Sequence, residues 1–93
     1  MRVISNKMLV EFSLRHPIAE GPLKAWRKII EVNIFTGYAD LKACFHSVDK
    51  VGDFYVFNIG GHKYRIVTII LFHQKKVFVR EILTHKEYNS WKP

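Results

Sequence analysis

Residues 54–71 read FYVFNIGGHKYRIVTIIL, two runs of β-branched and aromatic residues separated by a glycine pair. Runs of this composition favour β-strands, and adjacent glycines readily adopt the positive φ angles that a tight hairpin turn requires. The stretch therefore predicts two antiparallel strands joined by a turn at Gly60 and Gly61. A third run, KVFVREIL, follows the polar segment HQKK and predicts the next strand of the same sheet.

The hairpin predicts which side chains share a face of the sheet, because side chains alternate along each strand. With a two-residue turn, Asn58 lies opposite Lys63, and both share the face of Arg65. The core face then consists of Tyr55, Phe57, Ile59, Tyr64, Ile66 and Ile70. In the third strand the same alternation predicts Val77, Val79, Glu81 and Leu83 on the core face. It places Phe78, Arg80 and Ile82 on the opposite face.

Helical patterns dominate the N-terminal half of the chain. After a short strand, RVIS, Ser5 or Asn6 is expected to cap a helix that ends before Pro17. A second helix is expected from about Pro22, followed by a short helix in YADLKACF and a loop in SVDKVGD. At the other end of the chain, Thr84 and Glu87 match a capping box for one short helix.

These elements predict an α+β fold in a single domain spanning residues 1–93. Two N-terminal helices pack on one face of a mostly antiparallel sheet, and a short helix closes the chain. Hydrophobic residues make up 48% of the sequence, which is enough to form a packed core. No apolar stretch is long enough to span a bilayer and no signal segment is apparent, so a cytoplasmic protein with no membrane contact is expected.

The charge of the chain favours a polyanionic partner. Lys and Arg total 15 against 8 Asp and Glu, a formal net charge of +7. Residues 60–93 carry seven of these cations and two acids, so the excess is concentrated in the C-terminal third. The single cysteine excludes an internal disulfide and any zinc site built from cysteines, and no histidine spacing indicates a metal site.

Several chemically active side chains converge at one end of the predicted sheet. Lys63 and Arg65 meet the start of THKEY, and Arg80 lies further along the same face. An isolated arginine on a sheet usually pairs with a carboxylate, but a cluster of cations without counter-charge favours a phosphate ligand. His85 can move a proton near neutral pH, while Tyr88 can stack on a base or share the proton transfer.

The runs VFNIGGHKYR and VFVREILTHKEY, with RVIS and a two-helix segment before them, resemble the HigB family of toxins in toxin–antitoxin modules. The similarity extends from Arg2 to about Tyr88. Two positions depart from the pattern: His62 stands where a polar residue such as Asn is frequent, and Asn89 where Asp is common.

The resemblance implies a RelE-like ribonuclease, an mRNA interferase that cleaves mRNA, usually on the ribosome, and needs no metal or other cofactor. It also implies inhibition by a HigA-like antitoxin with a helix-turn-helix. The toxin would then bind operator DNA only through this antitoxin. On this basis the expected catalytic residues are Arg65, Arg80, His85 and Tyr88. The expected RNA-binding residues are Asn58, Lys63 and Lys86.

Two other functions use the same basic face. A non-catalytic RNA-binding module would retain RNA on this surface without cutting it, with Tyr88 as a stacking platform. A pure interaction protein would use the surface to dock an acidic partner and would tolerate loss of His85. Cleavage of RNA separates the ribonuclease from both alternatives.

Overall fold

The computed structural model describes residues 1–93, apart from the side chain of Asn6. A five-stranded sheet has the order β1-β5-β4-β3-β2, in which only the pair β1–β5 is parallel. This confirms the predicted α+β class with a mostly antiparallel sheet. The elements are β1 (Arg2–Ile4), α1 (Asn6–Arg15), a 3-10 turn (Pro17–Ala19), α2 (Glu20–Val32), α3 (Tyr38–Cys44), β2 (Asp49–Val51), β3 (Phe54–Ile59), β4 (Tyr64–Leu71), β5 (Lys76–Thr84) and α4 (His85–Ser90).

One face of the sheet carries the hydrophobic core, as the hairpin pattern predicts. The apolar stripes of α1 and α2 cover this face, and Trp26 of α2 meets Phe57 edge to face with ring centroids 5.4 Å apart. All six predicted core residues of β3 and β4 are buried in this cluster: Tyr55, Phe57, Ile59, Tyr64, Ile66 and Ile70. The opposite face carries α4 and a mixture of polar and apolar side chains, including the buried Val56 and Val67.

The connection between β3 and β4 is longer than predicted. Gly60 and Gly61 do have positive φ angles of 63° and 69°, but the strands pair only from Ile59 and Tyr64 outward. The prediction that Asn58 lies opposite Lys63 is wrong, because Asn58 pairs with Arg65. The register differs by two residues, which is the full period of a strand, so every side chain of the hairpin keeps its predicted face.

A β-bulge in β5 overturns the predicted faces beyond Val79. Glu81 pairs with Val67 and Val79 with Thr68, so Arg80 has no partner in the ladder. One extra residue reverses the alternation that follows it. Ile82 is consequently buried in the core, and Leu83 lies on the opposite face, where it pairs with Arg65. The predictions for Ile82, Leu83 and Glu81 were wrong for this reason.

Smaller differences concern the ends of elements. The predicted loop SVDKVGD contains β2, which pairs with β3 as an edge strand. The α2 helix begins at Glu20, two residues before Pro22. Ser5 precedes α1 with a φ of 88° but makes no side-chain capping hydrogen bond, and the alternative cap, Asn6, lies outside the described side chains. None of the described helices is both long and apolar enough to cross a lipid bilayer.

Candidate active site

Arg65 occupies the end of β4, on the face of the sheet opposite the core. It pairs across the sheet with Asn58 on one side and Leu83 on the other. Its guanidinium Nη1 donates hydrogen bonds to the backbone oxygens of His62, at 3.0 Å, and Tyr64, at 3.3 Å. These bonds anchor one side of the guanidinium, while Nη2 remains directed toward α4.

His85 completes a pair with Arg65 at the start of α4. Its backbone N–H donates to the carbonyl oxygen of Lys63 at 2.9 Å, which ties the helix to the turn before β4. Its Nδ1 lies 3.3 Å from Nη2 of Arg65. A guanidinium can only donate, so this hydrogen bond requires an unprotonated Nδ1 and leaves the ring proton on Nε2. The bond thus selects one tautomer of a neutral imidazole.

Tyr88 lies three residues after His85, on the same side of α4. The guanidinium carbon of Arg65 is 5.4 Å from the centroid of the Tyr88 ring, a cation–π contact. Both side chains are half-buried. The structure therefore brings together Arg65, His85 and Tyr88, three of the four side chains that the sequence assigns to catalysis.

The capping box predicted from Thr84 and Glu87 is present and fixes the start of α4. The Glu87 backbone N–H donates to Thr84 Oγ1 at 3.2 Å, and the Thr84 backbone N–H donates to Glu87 Oε1 at 2.8 Å. The hydrogen bond from the Thr84 backbone lowers the pKa of the Glu87 carboxyl. The charges of His16 and Arg15 lower that pKa further, whereas slight burial opposes the shift.

Loss of the cap is expected to destabilise the protein modestly. Thr84→Ala removes the side-chain acceptor for the Glu87 N–H and should lower the free energy of unfolding by about 1 kcal/mol, as measured by urea denaturation. Thr36→Ala removes an exposed hydroxyl that donates to Asp40 in the first turn of α3, so it provides a comparison away from α4. An unchanged denaturation midpoint in Thr84→Ala would show that the cap does not hold α4.

The lowered pKa of Glu87 sets the direction of the pH dependence. A depressed pKa in the folded state contributes stability above the pKa of the unfolded carboxyl, and this contribution is lost as the pH falls through the folded pKa. Glu87→Gln keeps an acceptor for the Thr84 N–H but cannot titrate. We therefore expect this variant to lose less stability than the original chain between neutral and strongly acidic pH.

The remaining predicted site residues lie around this cluster at different distances. Asn58 is half-buried beside Arg65. Lys63 is exposed in the turn before β4, and its backbone oxygen accepts the hydrogen bond from the His85 N–H. Lys86 is exposed on α4. Arg80 is exposed at the bulge, three residues before the partner of Arg65, or roughly 10 Å along β5. The structure thus places Arg80 at the margin of the site.

Among the described residues, no carboxylate forms an ion pair with a cation of the site. Within the described part of the chain, ion pairs occur only on α1 and α2: Lys7–Glu11, Lys24–Glu20 and Arg27–Glu31. Glu81 shares the face of Arg65, contrary to the sequence prediction, but forms no ion pair with it. Nor do any three His, Cys, Asp or Glu side chains in that part of the chain meet closely enough to hold a metal ion. An anion would find guanidinium and ammonium groups here that form no ion pair with any described carboxylate.

Trp91 is a neighbour of the site that the sequence analysis missed. Its ring stacks with Tyr88 at a centroid distance of 5.6 Å and meets Phe54 of β3 edge to face at 5.5 Å. The available signal was its spacing, since Trp91 follows Tyr88 by three residues, as Tyr88 follows His85.

Comparison with known proteins identifies the family of this chain. The family described as "HigB_toxin, RelE-like toxic component of a toxin-antitoxin system" matches residues 19–91. The "mRNA interferase toxin HigB" of Escherichia coli K12 is 35% identical over 92 residues, which cover 96% of this chain and 88% of the relative. The "mRNA interferase HigB" of Shigella flexneri matches with the same identity and coverage.

A more distant relative covers the chain equally well. The "mRNA interferase HigB" of Escherichia coli O6:H1 is 26% identical over 93 residues, 97% of this chain and 90% of the relative. The matched residues include β3, β4, β5 and α4, and hence every side chain of the cluster around Arg65. The chain therefore belongs to the HigB family, the RelE-like toxic components of toxin–antitoxin systems.

Proposed function

We propose that this toxin is an mRNA interferase, an endoribonuclease that inhibits translation by cutting mRNA in the cytoplasm. Three of its relatives carry this activity in their names. The observation that carries the proposal is the contact of Arg65 with both His85 and Tyr88, while no carboxylate of the described residues forms an ion pair with the guanidinium. This cluster combines a fixed positive charge with two groups that can exchange protons.

The proposed reaction uses the nucleophile that RNA itself supplies. The 2′-oxygen attacks the adjacent phosphorus, a proton leaves the 2′-hydroxyl, and the bond from phosphorus to the 5′-oxygen breaks as that oxygen gains a proton. The products are a 2′,3′-cyclic phosphate and a free 5′-hydroxyl. No cofactor takes part in this scheme, and the protein has to supply only charge stabilisation and proton transfer.

We assign Arg65 to stabilising the charge on the phosphate and His85 to transferring protons. Arg65 stabilises the negative charge that develops on the phosphorane, because its guanidinium is held in place before the substrate arrives. A phosphate oxygen that accepts from Nη2 of Arg65 releases Nδ1 of His85, which can then accept a proton, while Nε2 is already a donor. The Tyr88 hydroxyl orients the phosphate or shares the proton transfer.

The other basic and polar residues are assigned to the path of the RNA. Asn58 and Lys63 flank Arg65, and Lys86 lies on the exposed side of α4. Arg80 extends the positive surface along β5. We assign it to stabilising the negative charge of the phosphate from a greater distance than Arg65. Translating ribosomes are the proposed site of cleavage, where the mRNA is presented as a single strand.

Membership of the family implies an antitoxin partner. We propose a HigA-like antitoxin with a helix-turn-helix, and that the toxin reaches operator DNA only within this complex. The basis is the family assignment together with the net charge of +7, which favours an acidic partner surface.

The proposal predicts that expression of this chain alone arrests growth and creates new 5′ ends within transcripts. The 5′ ends are mapped with and without translation inhibitors, and the same mRNA is tested with the purified toxin, free and bound to ribosomes. Co-expression of the antitoxin encoded beside it should restore growth. A 2′-deoxy nucleotide at the cleaved position should block the reaction, because the nucleophile is then missing.

The RNA-binding alternative makes the opposite prediction. A non-catalytic module would retain mRNA and slow growth while all transcripts stayed intact. Growth arrest with unchanged 5′ ends would therefore refute the nuclease. Cleavage that persists at a 2′-deoxy nucleotide would refute the proposed chemistry but not the enzyme.

A further inference from the structure

A row of aromatic rings connects the candidate active site to the far end of β3. The ring of Tyr88 contacts the guanidinium of Arg65 and stacks with Trp91 at 5.6 Å, with an angle of 18° between the ring planes. Trp91 in turn meets the ring of Phe54, the first residue of β3, at 5.5 Å and 80°. Offset stacking and edge-to-face contacts are the favoured geometries of aromatic pairs. The row thus joins Tyr88 to the rigid sheet.

The α4 helix has few other means of holding Tyr88 in place. It is six residues long and none of its residues is buried. Helices this short are unstable in isolation and depend on caps and tertiary contacts. The capping box fixes the first turn of α4. At the other end, the Trp91 backbone N–H donates a hydrogen bond to the Tyr88 backbone oxygen at 3.0 Å. Trp91 therefore secures the C-terminal end of α4 through both its backbone and its ring.

We propose that Trp91 is a positioning residue for cleavage, which holds the Tyr88 ring against Arg65 and so places the Tyr88 hydroxyl at the scissile phosphate. This inference rests on the proposed function of Tyr88. Trp91 need not touch the RNA, because its ring is engaged by Tyr88 and Phe54. Its side chain is half-buried rather than projecting into solvent, as this arrangement requires.

The test compares Trp91→Leu with Trp91→Phe. Leucine keeps an apolar side chain but cannot stack, and a misplacement of about 1 Å in an active site can cost roughly 100-fold in rate. We expect Trp91→Leu to lower the single-turnover cleavage rate between about 10- and 100-fold with little change in KM. Trp91→Phe, which retains a ring, should recover most of the rate.

A double-mutant cycle with Tyr88→Phe identifies the residue through which Trp91 acts. If Trp91 acts by placing the Tyr88 hydroxyl, then Trp91→Leu should slow the Tyr88→Phe protein much less than it slows the original chain. Phe72→Leu is the matched control, because it removes the edge-to-face contact of another half-buried ring, 5.6 Å from Tyr55 on the core side of the sheet. It should lower thermal stability without changing the cleavage rate per folded molecule.

The outcomes distinguish this inference from the proposed function. A normal rate for Trp91→Leu, with Tyr88→Phe slow, would overturn the role of Trp91 alone. Independent, multiplicative effects of the two substitutions on the cleavage rate would also overturn the role of Trp91. So would a raised KM with an unchanged rate for Trp91→Leu, because this result would indicate that Trp91 binds RNA directly. A normal rate for Tyr88→Phe would instead refute the proposed role of the Tyr88 hydroxyl, and the inference with it.

Discussion

Arg65→Ala is expected to reduce mRNA cleavage by about 100- to 1,000-fold, the effect of removing one preorganised donor from a site that stabilises an oxyanion. The guanidinium is fixed by the carbonyl oxygens of His62 and Tyr64 before RNA binds, so it needs no reorganisation when charge develops on the phosphate. The loss should appear in the single-turnover rate at saturating RNA more than in KM. The free energy of unfolding should fall by only about 1 kcal/mol, because both carbonyls can be hydrated once the side chain is gone.

The alternative for Arg65 is a structural role, and stability measurements on the same protein separate the two. A structural arginine predicts an early thermal transition with a normal cleavage rate for the molecules that remain folded. Arg2→Ala is a suitable control, because Arg2 is exposed on the edge strand β1 and should affect neither property. Arg80→Ala is the informative comparison: the sequence assigns it to catalysis, but its position at the bulge predicts a smaller loss of rate than Arg65→Ala.

His85→Ala is expected to reduce cleavage by about 100- to 10,000-fold, the usual range for a lost general acid or base. Nδ1 of His85 accepts from Arg65 while Nε2 carries the ring proton. Once the phosphate releases Nδ1, the ring can therefore accept a proton at one nitrogen and donate from the other. Alanine removes both functions. The backbone bond from His85 to Lys63 does not depend on the side chain, so α4 should keep its position.

His62→Ala is the matched control for this substitution. His62 is exposed next to the site, and it accepts the hydrogen bond from Arg65 through its backbone oxygen. We expect a normal cleavage rate when its ring is removed. Cleavage by His85→Ala at the rate of the original chain would show that the protons are handled by Tyr88 or by the ribosome, and would remove His85 from the mechanism.

The sequence by itself determined the architecture and the position of most candidate site residues. The alternation of apolar and polar residues in 54–71 is a local property of extended chain, so it predicted the core face of β3 and β4 even with a register error of two residues. The capping box at Thr84 and Glu87 is likewise local, since both partners lie within one helical turn. Because Arg65 and His85 were placed by these local patterns, the sequence also predicted that they lie at the same end of the sheet.

Only the tertiary structure decided the course of β5 and the contacts of the C-terminal segment. A bulge depends on how one strand fits its neighbour, and no residue type in VFVREIL indicates it. The faces predicted for Ile82 and Glu81 were therefore wrong. The stacking of Trp91 between Tyr88 and Phe54 joins residues that are distant in the chain. This stacking forms because α4 packs against the sheet. Tertiary packing determines that position, whereas the helix propensity of residues 85–91 does not.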